Sequence, residues 1–259
     1  MKIFAINLPK DVARRASLDK QGNGLGLSIE WVVGVYGREL APDELRAAYR
    51  SRLARQRLGR EMTPAEIGCA LSHISIYRRI VTDKIPCALI LEDDAVLDER
   101  LPLLLDALQH HLSPASPAVV LLSPASGQPG PSLPLYGCFT LQPYKAGFYT
   151  HAYVVTLAGA RALLRALFPV GNVADCWPRL ARHRVVDIYV TLPEAAVQDQ
   201  QTFGSSTTEE SRQGAVARSI VARLLFKCRR AFWLALDWCA AQVNRRLKPY
   251  AGIGIERDA

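Results

Sequence analysis

Three acids in a row, Glu92, Asp93 and Asp94, close the stretch "CALILEDDAVL" directly after the apolar residues Ala88 to Leu91. Carboxylates this crowded repel one another, and at the end of a buried strand they also lose solvation. A divalent cation relieves both costs, and hard oxygen donors suit Mg²⁺ or Mn²⁺. The bland alternative is a solvated strand end whose acids cap the next helix. The triplet alone does not decide between them.

The elements that must position these acids are legible in outline. "KIFAINL" reads as a first buried strand, followed by a helix starting near Asp11 and a Gly/Asn turn, and "SIEWVVGV" as a second strand. Residues 41–61 form an Arg-rich helical excursion. In 62–84, Thr63, Pro64 and Glu66 have the order of a capping box with proline at the first helical position. Gly68 and Cys69 are small enough to let that helix approach the sheet. "ERLPLLLDALQHHL" is a helix, "PAVVLLSPA" a strand, and "SGQPGPSLPLYG" a loop. "AGFYTHAYVVTLAGARALLRALFP" is a strand passing into a helix near Leu157, and "VVDIYVTLP" extends the sheet. The alternation predicts an α/β fold with a mostly parallel central sheet, whose functional groups gather at the carboxyl ends of the strands.

The 259 residues, 49% of them hydrophobic, suffice for one α/β domain with an appendage. The start lacks the small-residue cleavage pattern of a signal peptide, and no uninterrupted apolar run spans a bilayer; the longest, near 231–243, is broken by Asp237. The six cysteines show neither CxxC pairs nor zinc-finger spacing, so reduced thiols are expected. Net charge is +8, concentrated toward the end, and admits nucleic acid, anionic lipid or a phosphorylated substrate. No nucleic-acid-binding motif accompanies the basic residues, which excludes that partner from the reading.

Two families end an apolar strand in acids. A response-regulator receiver needs a further Asp at the end of a later strand, and "AVVLLSPAS" ends instead in Ser123 and Pro124. The second is better matched. "IFAINLPKDVARRASL", "MTPAEIGCALSHISIYRRIV" and "ALILEDDAVL" resemble, in that order, the I-N-L segment with its Arg pair, the E-x-G-C-x-x-S-H segment and the E-D-D strand of glycosyltransferase family 25. "GFYTHAYVVTLAGARALL" and "NVADCW" resemble later segments of the family, while "QDQQTFGSST" has Gln198 where some members have His. The resemblance runs from residue 2 to about 207.

That resemblance implies a GT-A-like fold over 1–207 and sugar transfer, commonly of galactose, from a UDP-sugar donor to a lipooligosaccharide, lipid-linked or other glycan acceptor, with inversion. It implies a divalent cation, Mn²⁺ or Mg²⁺, held by Asp94 directly, with Asp93 on metal or donor ribose and Glu92 in support. Donor contacts are expected from Asn7, Arg14, Arg15, His73, Thr150 and Tyr153, with His151 also near the pocket. The general base is expected at Asp175, with Asp187 behind it; Glu66 is expected only to complete the capping box. The alternative is a non-catalytic nucleotide-sugar or glycan-binding protein of the same fold.

Residues 208–259 form a second unit. "ARSIVARLLFKCRRAFWLALDWCAAQVNRRLKPY" mixes long apolar residues with Arg and Lys, the composition of an amphipathic helix on an anionic membrane surface. With no export signal, the expected location is cytoplasmic, peripheral on the inner face of the membrane. A basic helix packed on the domain is the competing reading.

Overall fold

The computed structural model describes residues 1–130 and 132–199, together with Trp238 and Gln242. The tail expected over 208–259 therefore lies outside the described residues, apart from those two. Among the described residues no helix is long and apolar enough to cross a membrane.

The chain begins with β1 (Lys2–Asn7), α1 (Val12–Gly24) and β2 (Ile29–Val33). The excursion over 41–61 divides into α2 (Pro42–Ala48) and α3 (Ser51–Leu58). The break between them is where the chain pairs with a distant segment: Arg50 N–H donates to the Val170 carbonyl, and Val170 N–H to that of Ala48. Next come α4 (Pro64–Thr82), β3 (Cys87–Glu92), β4 (Ala95–Leu97), α5 (Leu101–His111) and β5 (Ala118–Leu121). The loop expected after β5 contains two short strands, β6 (Ser126–Gly127) and β7 (Leu133–Pro134), which pair with β8 (Thr140–Ala146). The remainder is β9 (Ala152–Thr156), α6 (Leu157–Leu167), α7 (Trp177–Arg182), β10 (Asp187–Leu192) and β11 (Ala196–Gln198).

The main sheet runs β2-β1-β3-β9-β5-β10-β8-β6. Strands β2, β1, β3, β5 and β10 point the same way, while β9 lies antiparallel between β3 and β5, and β8 runs antiparallel to β10. The expectation of a mostly parallel sheet thus becomes a mixed sheet with a reversed central strand. A receiver's all-parallel order is absent. The mixed α/β architecture fits a GT-A-like fold.

Strand β3 is apolar without alternation because helices cover both of its faces. Ala88 and Ile90 join a core with Ile74, Tyr77 and Ile80 of α4, and Leu89 and Leu91 join a core with Leu101, Leu104 and Leu108 of α5. Burying each Leu or Ile of this kind contributes about 1.5–3 kcal/mol before chain entropy is charged against it.

Helix α4 starts as its sequence predicts. Thr63 Oγ1 accepts from Glu66 N–H at 3.2 Å, and Glu66 Oε2 accepts from Thr63 N–H at 2.9 Å. The Glu66 side chain is fully buried and takes two further hydrogen bonds from the Arg60 guanidinium at 2.7 and 2.6 Å. Its role is to hold the helix start. Further along, Ser72 Oγ donates to the Gly68 carbonyl and accepts from Val35 N–H, both at 2.8 Å, tying the helix to the chain leaving β2. That junction depends on Gly68, where a Cβ would stand 2.3 Å from the Val35 carbonyl oxygen and 2.7 Å from Gly37 N.

Both obstacles at Gly68 are backbone, so Gly68→Ala forces α4 away from β2. We expect a loss of about 3 kcal/mol in denaturant unfolding, with the larger share of the damage at the Ser72–Val35 bond. A loss below about 0.5 kcal/mol would show that the helix has room to move.

Candidate functional site

A cleft of about 110 Å³ opens at the carboxyl edge of β1, β2 and β3. Asn7, the last residue of β1, and Arg14 of α1 line it beside Glu92, Asp93 and Asp94, while His73 and Cys69 face it from α4. The reversed strand completes the edge. Because β9 is antiparallel to β3, its entrance rather than its exit lies beside Glu92, and Glu92 N–H donates to the His151 carbonyl at 2.9 Å.

The three acids do not share one environment. Glu92 turns toward α4 and β9: its Oε1 accepts from Thr150 Oγ1 and lies 3.2 Å from His73 Nε2. Asp93 Oδ2 accepts from Asn7 Nδ2 at 2.8 Å, and Asn7 Nδ2 also donates to the Asp11 carbonyl at 3.0 Å. Asp94 Oδ2 accepts from Gln198 Nε2 at 2.7 Å. Arg14 Nη1 sits between the two aspartates, 3.5 Å from Asp93 Oδ1 and 3.6 Å from Asp94 Oδ2. The positive charge that the acids require is thus partly supplied by the protein.

It is supplied only in part. Asp94 is 5% exposed, and its Oδ1 is buried with no hydrogen-bond partner among the described residues. Burial and the charge of Glu92 push the Asp94 carboxyl above its usual range, against the pull of Gln198 and Arg14. Burial likewise raises Asp93 to about 6, with the Asp94 charge adding to it and Asn7 and Arg14 opposing. Glu92 goes the other way. Burial would raise it, but the hydrogen bond and charge of His73, the Thr150 hydroxyl and the charge of His151 together hold it below the ordinary value. A buried, unpartnered carboxylate oxygen beside a second carboxylate is a fitting seat for a hard divalent cation, which binds through one or two carboxylates and keeps oxygen ligands from water or phosphate. Asp93 and Asp94 fit that ion; Glu92, directed at His73, does not join them.

The remaining expected residues divide sharply. Arg15 points away from the cleft, toward Asp19 and the ring of Trp31. Tyr153 is fully buried; its hydroxyl bonds His73 Nδ1 at 2.8 Å and the Tyr77 hydroxyl at 2.7 Å, and its ring packs edge-on against Trp177. It holds His73 in place and does not reach the cleft. Thr150 is bound to Glu92, and buried His151 reaches back to the Ala196 carbonyl at 3.3 Å. Asp175 lies in the turn before α7 and is not a cleft residue. Asp187 starts β10, paired with Ala118 at the start of β5, and so occupies the opposite edge of the sheet, roughly 17 Å of strand from the carboxyl ends.

Two residues around the acids are not legible from the motifs. Gln198 reaches Asp94 because β11 pairs with β4, a pairing of three-residue strands too short to read from sequence. Tyr36 lines the cleft just beyond β2, with Lys10 Nζ 4.6 Å above its ring. The rule that sites gather at the carboxyl ends of strands would have flagged it.

Comparisons with known proteins agree with the motifs. Residues 1–123 match the model of "Glycosyltransferase family 25 (LPS biosynthesis protein)". A "Glycosyltransferase 25 family member" of Aedes aegypti is 37% identical over 95 residues, 36% of this chain and 16% of that protein. "Procollagen galactosyltransferase 1-B" of Xenopus laevis is 28% identical over 178 residues, 66% of this chain and 29% of that protein. A "Probable inactive glycosyltransferase 25 family member 3" of Bos taurus is 31% identical over 121 residues, 43% of this chain and 20% of that protein. The chain spans less than a third of the length of these relatives.

The raised Asp93 carboxyl has a measurable consequence. The folded state keeps a proton that the unfolded chain has already lost, so metal-free stability falls as pH rises from about 4 to about 6, and the deficit is complete above that. Asp93→Asn removes the penalty, and we expect a gain of up to about 3 kcal/mol at pH 8 with chelator present. The gain shrinks toward zero near pH 4. A variant equally or less stable than the parent at pH 8 in denaturant unfolding contradicts this account of the acids.

Proposed function

With residues 1–123 placing the chain in glycosyltransferase family 25, we propose that it transfers a sugar, galactose foremost, from a UDP-sugar to a glycan acceptor, with inversion and with a divalent cation. The single observation that carries this reading is the buried Asp94 Oδ1, unpartnered among the described residues, next to Asp93 at the carboxyl edge of the family-matched strands β1 to β3. The support is chemical. Transfer from a nucleoside diphosphate develops negative charge on the departing diphosphate, and a bound Mn²⁺ or Mg²⁺ neutralises it.

The chain's own residues have separable tasks in this scheme. Asp94 and Asp93 hold the cation, and Asn7 fixes Asp93 through the 2.8 Å hydrogen bond. Arg14, which leans on both aspartates, lines the cleft where the diphosphate would lie, and its planar fork suits phosphate oxygens. Tyr36, which lines the cleft with Lys10 over its ring, would supply an aromatic contact for a nucleobase or sugar. The acceptor belongs to the lipooligosaccharide or other glycan class suggested by the family description, and a lipid-linked acceptor would meet the enzyme at the inner face of the cytoplasmic membrane. The basic, apolar sequence of 212–248 supports that location. A binding protein without turnover is the second reading, since some family 25 relatives carry the name "probable inactive".

A panel of UDP-sugars, assayed for Mn²⁺-dependent hydrolysis or transfer, tests the donor. One donor, UDP-galactose, is expected to stand out, and Asp94→Asn to lower its turnover by 10²-fold or more at an unchanged melting temperature. Full activity of that variant in EDTA would remove the cation from the scheme, and no turnover with any donor would favour the binding reading. In liposome flotation, the full chain is expected to rise with anionic vesicles, and a form ending at residue 211 to stay behind; equal flotation rules out the tail as the anchor.

A further inference from the structure

We propose that Cys69, His73 and Glu92 form a separate site for a thiophilic divalent cation of the zinc class, on the α4 side of the same cleft. A ligand atom from each of the three, the Cys69 sulfur, a His73 ring nitrogen and a Glu92 carboxylate oxygen, lies within 4.8 Å of the other two. A tetrahedral zinc ion sets its ligand atoms roughly 3.5 Å apart, and His73 Nε2 to Glu92 Oε1 is already 3.2 Å. Closing the set requires only a small approach by the thiol.

The supports are of the kind metal sites use. Cys69 and His73 are four apart on α4, one turn along a single helix face. Glu92 is the last residue of β3, a strand buried up to that point, so two rigid elements carry all three ligands. Behind His73, the Tyr153 hydroxyl holds Nδ1 at 2.8 Å and is itself held by Tyr77 at 2.7 Å. Such an outer partner fixes the ring and selects which nitrogen faces the metal. His73 is 2% exposed, while Cys69 and Glu92 are half-buried and line the cleft, so the fourth position opens toward it.

The donor set separates this ion from the one at Asp93 and Asp94. Sulfur and imidazole select zinc-like ions over Mg²⁺, which requires oxygen. A thiolate, a carboxylate and a neutral imidazole also sum to two negative charges, which a divalent ion cancels, so the site buries no net charge. The proton balance closes as well. On binding, the Cys69 thiol releases its proton to solvent and an S–metal bond forms. Any proton on His73 Nε2 also leaves to solvent, so that Nδ1–H donates to Tyr153, whose hydroxyl turns to Tyr77, and Nε2 gives its lone pair to the ion. The open position takes an anionic oxygen from whatever occupies the cleft.

The test uses Co²⁺ alone on the full chain, stripped with chelator and kept reduced. A thiolate-to-cobalt absorption band in the near ultraviolet is expected to saturate at one ion per chain and to vanish when one equivalent of Zn²⁺ is added. Cys69→Ser and Cys69→Ala are both expected to lose the band while melting near the parent temperature, and Cys138→Ser to keep it. Glu92→Gln is expected to weaken cobalt binding at least tenfold. Asp94→Asn keeps the band, which separates this site from the proposed donor cation. A parent protein without the band, or an equal band in both Cys69 variants, overturns the assignment.

Discussion

The structure turns on unbalanced negative charge at the end of β3. Three consecutive carboxylates leave a strand buried on both faces, and the protein answers each differently. Glu92 is turned into a network with His73 and Thr150 and keeps its charge. Asp93 and Asp94 share one guanidinium at a little over hydrogen-bonding range and two amide donors. Among the described residues one guanidinium stands between two carboxylates, and burial together with the neighbouring negative charge raises both Asp93 and Asp94. A site left short of positive charge is less stable alone and better able to hold a cation, the trade common where function draws on strain.

Most of the fold around the acids serves to keep them at one edge. Helix α4 is locked at its start by the Thr63–Glu66 box and the Arg60 pair, and along its length by Gly68 and Ser72 against the chain after β2. That places His73 within reach of Glu92. The reversed strand β9 supplies the other side: Leu91 pairs with Ala152, so Thr150 and His151 fall beside Glu92 instead of a strand length away. Tyr153, inside β9, then reaches His73 through the core. The chain of contacts Tyr77–Tyr153–His73–Glu92–Thr150 therefore spans helix, core and cleft.

The same geometry explains why residues of similar type had different fates. Arg14 and Arg15 are neighbours, yet successive helical residues point about 100° apart, so Arg14 enters the cleft and Arg15 stacks on Trp31. Asp187 begins β10 and so stands at the edge of the sheet remote from the acids. Glu66 and His73 lie on one face of α4, but the first is consumed by capping and the second is held under Glu92.

What the sequence determined by itself was local or carried by whole motifs. The apolar run into three acids, the capping box of α4, the β9–α6 junction at Thr156–Leu157 and the family pattern over the first half all rest on neighbours in the chain, where spacing dictates geometry. The tertiary structure decided the direction of β9, the three-residue pairing that delivers Gln198 to Asp94, the burial of Tyr153 and the joining of Cys69 to Glu92. Each of these depends on residues far apart along the chain meeting at a particular register, and strands of three to five residues carry too little periodicity to specify register before the sheet has formed.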